Sequence, residues 1–224
     1  LVSLAGQDDR VRSVGAEDRS LDGLATIEQC AVARRVRRSL EERFGLDPFE
    51  ALESDVLIQY MVNDNLANVL CPATKLWNTG HGATMMREAV SLMGGCGITE
   101  DCPGFIGQKW MDAQLEATYE GPEAVQRRQL GITMMNDVFI TQFRLWIKEM
   151  RRVAGRRAGT GACTLASAME LWLWTLQHLR EAKDAEGKEL YRDQRQGVTF
   201  PMADALCWLL ASRYQILDIL ELEA

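Results

Sequence analysis

A single glutamate on a glycine turn is the residue of this chain best suited to acid–base chemistry. Glu120 lies between Tyr119 and Gly121, and none of the three residues before it is a carboxylate. A carboxylate on a turn, beside a glycine that lets another molecule approach the backbone, is suited to act as a general base. The alternative is a solvated turn glutamate, because charged side chains are mostly exposed. The residue types alone leave both interpretations open.

A glycine-rich bend comes before this turn, at the end of a long segment with helical periodicity. The segment runs from about 49 to 92, and Gly94, Gly95 and Gly97 follow it. Glycine accepts the left-handed backbone that closes a helical C-terminus, so the three glycines are expected to end the helix. Pro72 lacks a backbone donor and is expected to kink the helix.

The other apolar patterns are also helical. The spacing of Leu24, Ile27, Ala31 and Leu40 predicts an amphipathic helix that ends near Gly45. Further helices are expected at 105–117, from Pro122 as a first helical residue, at 138–153, at about 163–184 and at about 201–222. Strands are not expected, because no turn dipeptide is flanked by alternating β-branched residues. The predicted fold class is therefore all-α, a helical bundle with additional C-terminal helices.

The patterns divide the chain into four parts. These are a lead-in segment at 1–23, a helical-bundle domain at 24–153, a basic, glycine-rich linker at 154–161 and a helical tail at 162–224. Four arginines near the linker suggest either a solvated loop or a docking point for an acidic partner. They are Arg151, Arg152, Arg156 and Arg157. The tail is too apolar to stay uncovered, so we expect an extended bundle or a subunit interface, with a membrane-surface helix as the alternative.

Composition and charge exclude several classes of function. The formal net charge of -7 provides no basic field for a phosphate backbone, so nucleic acid is not an expected partner. The six cysteines form no CxxC pair and lie mostly in apolar helical patterns, which indicates free thiols in a reducing, cytoplasmic setting. No apolar run reaches the roughly 20 residues that a membrane-spanning helix needs. Two histidines without suitably spaced partners predict no metal site.

Three residues near the glycines have both a functional and a structural interpretation. His81 lies between Gly80 and Gly82, where it would either contact an adenine or a neighbouring subunit, or pack at a helix crossing. Cys96 and Cys102 are close to the glycine bend, and their position suggests redox sensitivity. Because no cationic residue is near them in the sequence, inert thiols are expected.

Several motifs, in the same order, resemble those of the acyl-CoA dehydrogenase family. The family has a helix that ends in Gln-x-x-Gly-Gly-x-Gly, and this chain reads SLMGGCG at 91–97. The family then has an aromatic-Glu-Gly-Thr turn before a helix with Gln-Arg, and this chain reads YEGPEAVQR at 119–127. Asp112 stands where the family has its Arg-Asp. The resemblance to the C-terminal helical domain of the family is close over 64–130 and extends in general character to 24–45.

The resemblance implies an FAD-dependent acyl-CoA dehydrogenase. Glu120 would remove the α-proton of an acyl-CoA thioester while the β-hydrogen leaves as hydride to FAD, giving a 2-enoyl-CoA. The backbone N–H of Glu120 would help to stabilise the enolate-like charge as it develops. Tyr119 and Gly121 would line the thioester. Bound substrate and flavin would desolvate the carboxylate and make it a stronger base.

The resemblance also implies a cofactor contact and partners. The FAD of a neighbouring subunit would approach the glycine bend through its adenosine half, at Ser91, Leu92, Met93, Gly94 and Gly95. An electron-transferring flavoprotein or a similar acceptor would reoxidise the flavin. The chain would assemble as a homo-oligomer, either a dimer or a tetramer, or as a hetero-oligomer.

Several residues depart from the family pattern. Ser91 replaces the usual glutamine, Pro122 the threonine, Ala124 a polar residue that often contacts FAD, and Met111 the arginine before Asp112. These replacements support a second hypothesis, a non-catalytic partner or scaffold subunit that keeps the fold. The family's N-terminal helical domain and β-domain are not recognisable, and the sequence lacks an initiator methionine. We therefore expect the C-terminal part of a longer protein, with a subunit that completes its site with another chain as the alternative.

Overall fold

The computed structural model describes residues 35, 56–99 and 105–222. Predictions at other positions, among them the lead-in segment, the helix at 24–45 and Cys102, lie outside the described residues. The described part contains seven helices, and its only β pairing is an isolated bridge between Lys183 and Glu189. The helices are α1 (Val56–Met93), α2 (Gly95–Ile98), α3 (Phe105–Glu116), α4 (Glu123–Thr133), α5 (Asp137–Arg156), α6 (Ala162–Glu181) and α7 (Gln196–Leu222). The prediction of an all-α fold is confirmed.

One side of α1 contributes to the core of the bundle. Its buried side chains recur every three or four residues: Ile58, Val62, Leu66 and Val69. This spacing places them on one face of a helix, and α1 packs against α3, α4, α5 and α7. The helical backbone is continuous through Pro72, and the kink expected there stays a prediction.

Aromatic side chains in the core join the bundle to the tail. Phe143 on α5 is fully buried, and its ring centroid lies 4.7 Å from that of Trp172 on α6. The indole N–H of Trp172 donates to the backbone carbonyl of Met202 on α7, at 3.0 Å. Buried residues of α1, α4, α5, α6 and α7 form one cluster, so the tail extends the bundle as its apolar faces predicted. Four large apolar side chains in the described part of the tail stay more than half exposed: Leu171, Trp174, Trp208 and Leu222.

The bend after α1 is made by one glycine rather than three. Gly94 has a φ of 59°, which glycine adopts without strain, and α1 ends at the residue before it. Gly95 and Gly97 belong to α2, so the prediction that all three glycines end the helix is wrong for these two. Gly97 is needed for packing instead, because a Cβ there would lie 2.7 Å from the backbone oxygen of Val90. The short helix α2 therefore lies directly against the end of α1.

Several predicted boundaries shift by a few residues. Pro122 is the N-cap of α4 and not its first helical residue, since its backbone is extended and its carbonyl accepts from the amide of Val125 at 2.8 Å. Helix α5 continues to Arg156, so the first residues of the predicted linker are helical. Helix α7 begins at Gln196, upstream of the start expected at 201. The division of the chain into domains stays a prediction.

The arginines near the predicted linker do not all lie in a loop. Arg151, Arg152 and Arg156 are on α5. The Arg151 guanidinium donates to the carboxylate of Glu170 at 2.7 Å and to the hydroxyl of Ser167 at 3.0 Å, which ties α5 to α6. The solvated-loop interpretation is therefore wrong for Arg151, because the α5–α6 hairpin brings the two helices side by side. Docking of an acidic partner at this cluster stays a prediction.

Both histidines contact tryptophan rings. The ring centroid of His81 lies 4.2 Å from that of Trp77 and 4.4 Å from that of Trp208, which favours the packing interpretation. His178 stacks on Trp174 at 5.4 Å. Within 56–99 and 105–222, no three His, Cys, Asp or Glu side chains come together as a metal site would require. None of the helices described there has the length and apolarity to cross a membrane.

Thiol labelling is expected to separate the described cysteines into two groups. Cys207 on α7 is buried, and burial, with the nearby carboxylate of Asp204, raises the pKa of its thiol to about 12. Since the thiolate is the reactive form, a thiol reagent at about pH 8 should label the exposed Cys71, Cys96 and Cys163 and leave Cys207 unlabelled until the protein unfolds. Mass spectrometry of native and unfolded protein checks this. Labelling of native Cys207 as fast as Cys96 would contradict it.

Candidate active site

Glu120 lies on the turn between α3 and α4 and has a strained backbone. Its φ is 55°, and among the described residues it is the only non-glycine residue with a positive φ. Gly121 follows with a φ of 95°. A side chain in this region of backbone space costs on the order of 1–3 kcal/mol and persists only where its surroundings hold it. Contacts from the surrounding helices must therefore hold this turn.

The side chain of Gln126 holds the turn from α4. Gln126 is buried, and its amide donates to the carbonyl of Glu120 at 3.0 Å and to that of Gly121 at 3.2 Å. A Cβ on Gly121 would lie 3.0 Å from Nε2 of Gln126 and 3.1 Å from Val125, so a glycine is required by both space and φ. The first turn of α4 thus fixes the backbone on the C-terminal side of Glu120.

The side chain of Lys75 holds the turn from α1. Its Nζ donates to the backbone carbonyl of Tyr119 and lies 4.4 Å from the centroid of the Tyr119 ring. The same Nζ is 3.8 Å from Oε2 of Glu120. The Lys75 side chain is only 17% exposed. Residues from two helices that are distant in sequence therefore meet on either side of Glu120.

The carboxylate of Glu120 is open to solvent. Its side chain is 78% exposed, and Tyr119 beside it is 50% exposed. The described residues therefore do not enclose the carboxylate in a cleft. A general base for a weakly acidic C–H needs an environment with little water. That desolvation must come from groups outside the described residues, and the expectation that substrate and flavin supply it stays a prediction.

Arg127 ties the helix after the turn to the tail. Its guanidinium lies 3.0 Å from the carboxylate of Glu123 and 2.8 Å from that of Asp204 on α7. Glu123 is the first residue of α4, and its carboxylate would be 3.6 Å from a Cβ on Gly80 of α1. The start of α4, and with it the turn, is therefore fixed between α1 and α7.

The residues predicted to contact FAD are 91–95. They lie at the C-terminal end of α1, whereas Lys75 lies near the middle of this helix. This end is well exposed, with Leu92 at 89% and Met93 at 53%. At a rise of 1.5 Å per residue, Gly94 is roughly 28 Å from Lys75 along the helix axis. The described structure therefore places the predicted base and the predicted cofactor contacts in two separate regions.

The end of α1 fits one part of FAD better than the rest. A Cβ on Gly94 or Gly95 would meet nothing within 4 Å, so the backbone there is open to a ligand, and the exposed apolar side chains beside it suit an adenine ring. Residues 91–99 include no charged side chain that could pair with a pyrophosphate. Ser91 donates its hydroxyl to the carbonyl of Arg87 at 3.1 Å, and Arg87 itself pairs with Glu88 at 2.7 Å. Most contacts to the cofactor would therefore come from other polypeptide.

Lys75 and Gln126 are the residues of the site that sequence reasoning missed. Lys75 lies 44 residues from Tyr119, and periodicity shows which face of a helix is apolar but not which turn a lysine reaches. Gln126 had a signal, because it belongs to the Gln-Arg of the motif at 119–127. The resemblance rested on that motif, but the motif indicated no role for the side-chain amide of Gln126.

A cavity of about 230 Å³ lies between α4 and the loop before α7. Two hydrogen-bonded pairs link residues of its lining. The hydroxyl of Tyr191 donates to the carbonyl of Gly131 at 2.7 Å, and Arg128 donates to Asp193 at 2.6 Å. The hydrogen bonds from Arg128 hold the pKa of the Asp193 carboxyl below its usual value. These contacts fasten the loop to α4.

The fold and the turn together define a helical-bundle protein with a positioned carboxylate at one helix start. Residues 56–135 match the family model for the acyl-CoA dehydrogenase, C-terminal domain. The match begins with α1, includes the Glu120 turn and ends just after α4, which confirms the resemblance for this part of the chain. A search of curated proteins and a search of solved structures each found no significant match. Helices α5 to α7 lie outside the matched segment.

Proposed function

We propose that this chain is part of an FAD-dependent acyl-CoA dehydrogenase in which Glu120 is the base that removes the α-proton of an acyl-CoA thioester. The observation that carries the proposal is the strained backbone of Glu120, held from both sides inside a segment that matches the family model. Strained residues of this kind cluster at active sites.

The turn supplies two groups for this reaction. The carboxylate of Glu120 accepts the α-proton, and the backbone N–H of Glu120 donates to the thioester oxygen, where negative charge develops. Tyr119 and Gly121 flank the thioester, and the missing side chain of Gly121 leaves room for it. FAD, when bound, supplies the acceptor for the β-hydride. The product is a 2-enoyl-CoA.

The exposure of Glu120 requires a cover. An N-terminal part of a longer polypeptide, or another subunit, would close over the turn together with the acyl-CoA and exclude water. Ser91, Leu92, Met93, Gly94 and Gly95 would contact the adenosine half of an FAD held mainly by a neighbouring subunit. The assembly would be a dimer or tetramer, or a hetero-oligomer, in the cytoplasm, and would pass electrons to an electron-transferring flavoprotein or a similar acceptor.

The proposal is tested on the complete protein as it is isolated. We expect the absorption bands of oxidised flavin, and we expect them to bleach without oxygen when an acyl-CoA with hydrogens at both the α and β carbons is added. A 2-enoyl-CoA should form in equal amount, as chromatography of the thioesters will show. Protein that carries flavin but is not reduced by any of a series of acyl-CoAs of different chain length would contradict the proposal.

The second candidate function is a non-catalytic, acyl-CoA dehydrogenase-like partner or scaffold subunit. The ion pair with Lys75 and the exposure of Glu120 favour it, because they would also suit a carboxylate without a chemical role. The replacements at Ser91, Pro122 and Ala124 point the same way. A purified complex that is colourless, with no flavin released on unfolding, would decide for this function.

A further inference from the structure

We propose that Lys75 is a positioning residue that aims the backbone N–H of Glu120 at the thioester oxygen. The catalytic part of this inference rests on the proposed function, whereas the hold of Lys75 on the turn does not. Nothing in the motifs at 91–97 or 119–127 points to this lysine. Its contacts with the turn carry the inference.

The environment of Lys75 shows that its ammonium is committed to the turn. The side chain is 17% exposed, and removing an ammonium from water is costly unless it is paired and hydrogen-bonded. Its carbonyl acceptor and ring contact belong to Tyr119, and its carboxylate partner is Glu120. Lys109 offers a contrast, since it is 64% exposed and pairs at 3.7 Å with Asp112 on its own helix. Such exposed pairs contribute little.

The planar peptide bond connects this contact to the proposed chemistry. The carbonyl of Tyr119 and the N–H of Glu120 belong to one rigid unit and point in opposite directions. When Lys75 fixes the carbonyl oxygen from α1, it also fixes the direction of the N–H on the other side of the plane. An ammonium donor also polarises the peptide, which makes its N–H a stronger donor.

The next peptide plane is fixed as well. Gln126 donates to the carbonyl of Glu120, which fixes the plane between Glu120 and Gly121. The planes on both sides of the Glu120 Cα are thus held by side chains from different helices. This explains how a glutamate keeps a φ of 55°. It also separates the roles, because Gln126 sets the C-terminal plane and Lys75 sets the plane that carries the donor.

The experiment compares three variants of the complete protein: Lys75→Met, Lys75→Arg and the matched control Lys109→Met. Lys75→Met keeps an apolar stem but loses the donor. We expect kcat to fall by roughly 10- to 100-fold with little change in KM, because the N–H that Lys75 aims stabilises charge that develops only in the transition state. Lys75→Arg should recover most of the rate, and Lys109→Met should match the wild type. A loss of rate in Lys109→Met as large as in Lys75→Met would contradict the proposal.

The stability of a bound enolate can be measured directly, and it would not change if Lys75 only stabilised the fold. A 3-oxoacyl-CoA loses its α-proton readily, so the pH at which the bound compound ionises, followed by ultraviolet absorbance, reports how well the site stabilises the enolate. We expect this pH to be higher in Lys75→Met than in the wild type, and to be unchanged in Lys109→Met. The same pH in Lys75→Met and the wild type would overturn the proposal, whatever the change in rate.

Limited proteolysis separates a failure of this inference from a failure of the proposed function. A protease that cleaves after glutamate should cut the bond between Glu120 and Gly121 several-fold faster in Lys75→Met than in the wild type or Lys109→Met, because the turn is released. Faster cleavage with no reduction of flavin by acyl-CoA in the wild type would reject the function and leave the hold of Lys75 on the turn intact. Equal resistance in all variants would overturn the inference about Lys75 even if Glu120 proves to be the base.

Discussion

Replacement of Glu120 by glutamine in the complete protein is expected to slow the bleaching of flavin by acyl-CoA by about 10²- to 10⁴-fold, the usual contribution of a positioned general base. Glutamine has nearly the same shape, so the backbone contacts with Lys75 and Gln126 should persist. It cannot take up the α-proton. Binding of the acyl-CoA should therefore change far less than the rate of the first turnover, which stopped-flow absorbance measures.

The matched control for this prediction is Glu116→Gln. Glu116 is exposed and is the last residue of α3, four residues before Glu120, so the change removes the same charge from a nearby position in the chain. We expect its bleaching rate to equal that of the wild type. If the flavin of the Glu120→Gln protein is reduced at the wild-type rate, Glu120 is not the base. A second variant, Glu120→Asp, should retain part of the rate because it keeps a carboxylate.

Replacement of Phe143 by alanine is expected to lower the free energy of unfolding by about 3–5 kcal/mol, the range for removing a large aromatic side chain from a core. Phe143 is fully buried. Its ring centroid lies 4.7 Å from that of Trp172, 5.9 Å from that of Phe139 and 6.3 Å from that of Trp146. The cavity would open where α5 meets α6. Because this contact joins bundle and tail, the loss should affect both.

Urea denaturation followed by tryptophan fluorescence checks this second prediction, with Leu171→Ala as its control. Leu171 is on the neighbouring helix α6 but is 63% exposed, so its truncation should change the free energy of unfolding by no more than about 0.5 kcal/mol. A loss for Phe143→Ala as small as that of the control would mean that α5 and α6 do not share a core. Phe143→Leu should lie between the two because it leaves a smaller cavity.

The helices were predictable because their apolar side chains recur with the period of a helix. In α1, Ile58, Val62 and Leu66 repeat every four residues and are buried. Their pattern is local, so the sequence contains all the information needed to assign the element. The bend after α1 was predictable in place but not in detail. A glycine ends a helix or permits close packing, and only the neighbouring backbone of Val90 shows that Gly97 has the second role.

The candidate site was predictable only where the chemistry is local. The types and order of Tyr119, Glu120 and Gly121 predicted a carboxylate on a glycine turn, and the resemblance implied its role as a base. The positive φ of Glu120 and its exposure were not predictable, since both depend on how α1 and α4 meet. The same holds for Lys75, which reaches the turn from a distant part of the chain. Sequence patterns show which face of a helix is apolar and where the helix ends, whereas the distance between two helices depends on the packing of the whole core.

Helix α7 packs against both helices that hold the Glu120 turn, α1 and α4. Its Asp204 holds Arg127 on α4, and its Cys207 donates to the carbonyl of Ala73 at 3.8 Å, close to Lys75 on α1. The minimal unit for any engineering of this chain is therefore larger than the segment that matches the family model. A shortened version that stops before 196 would lose the contacts that α7 makes with both helices, so hybrid proteins built from this chain should exchange α1 to α7 as one block.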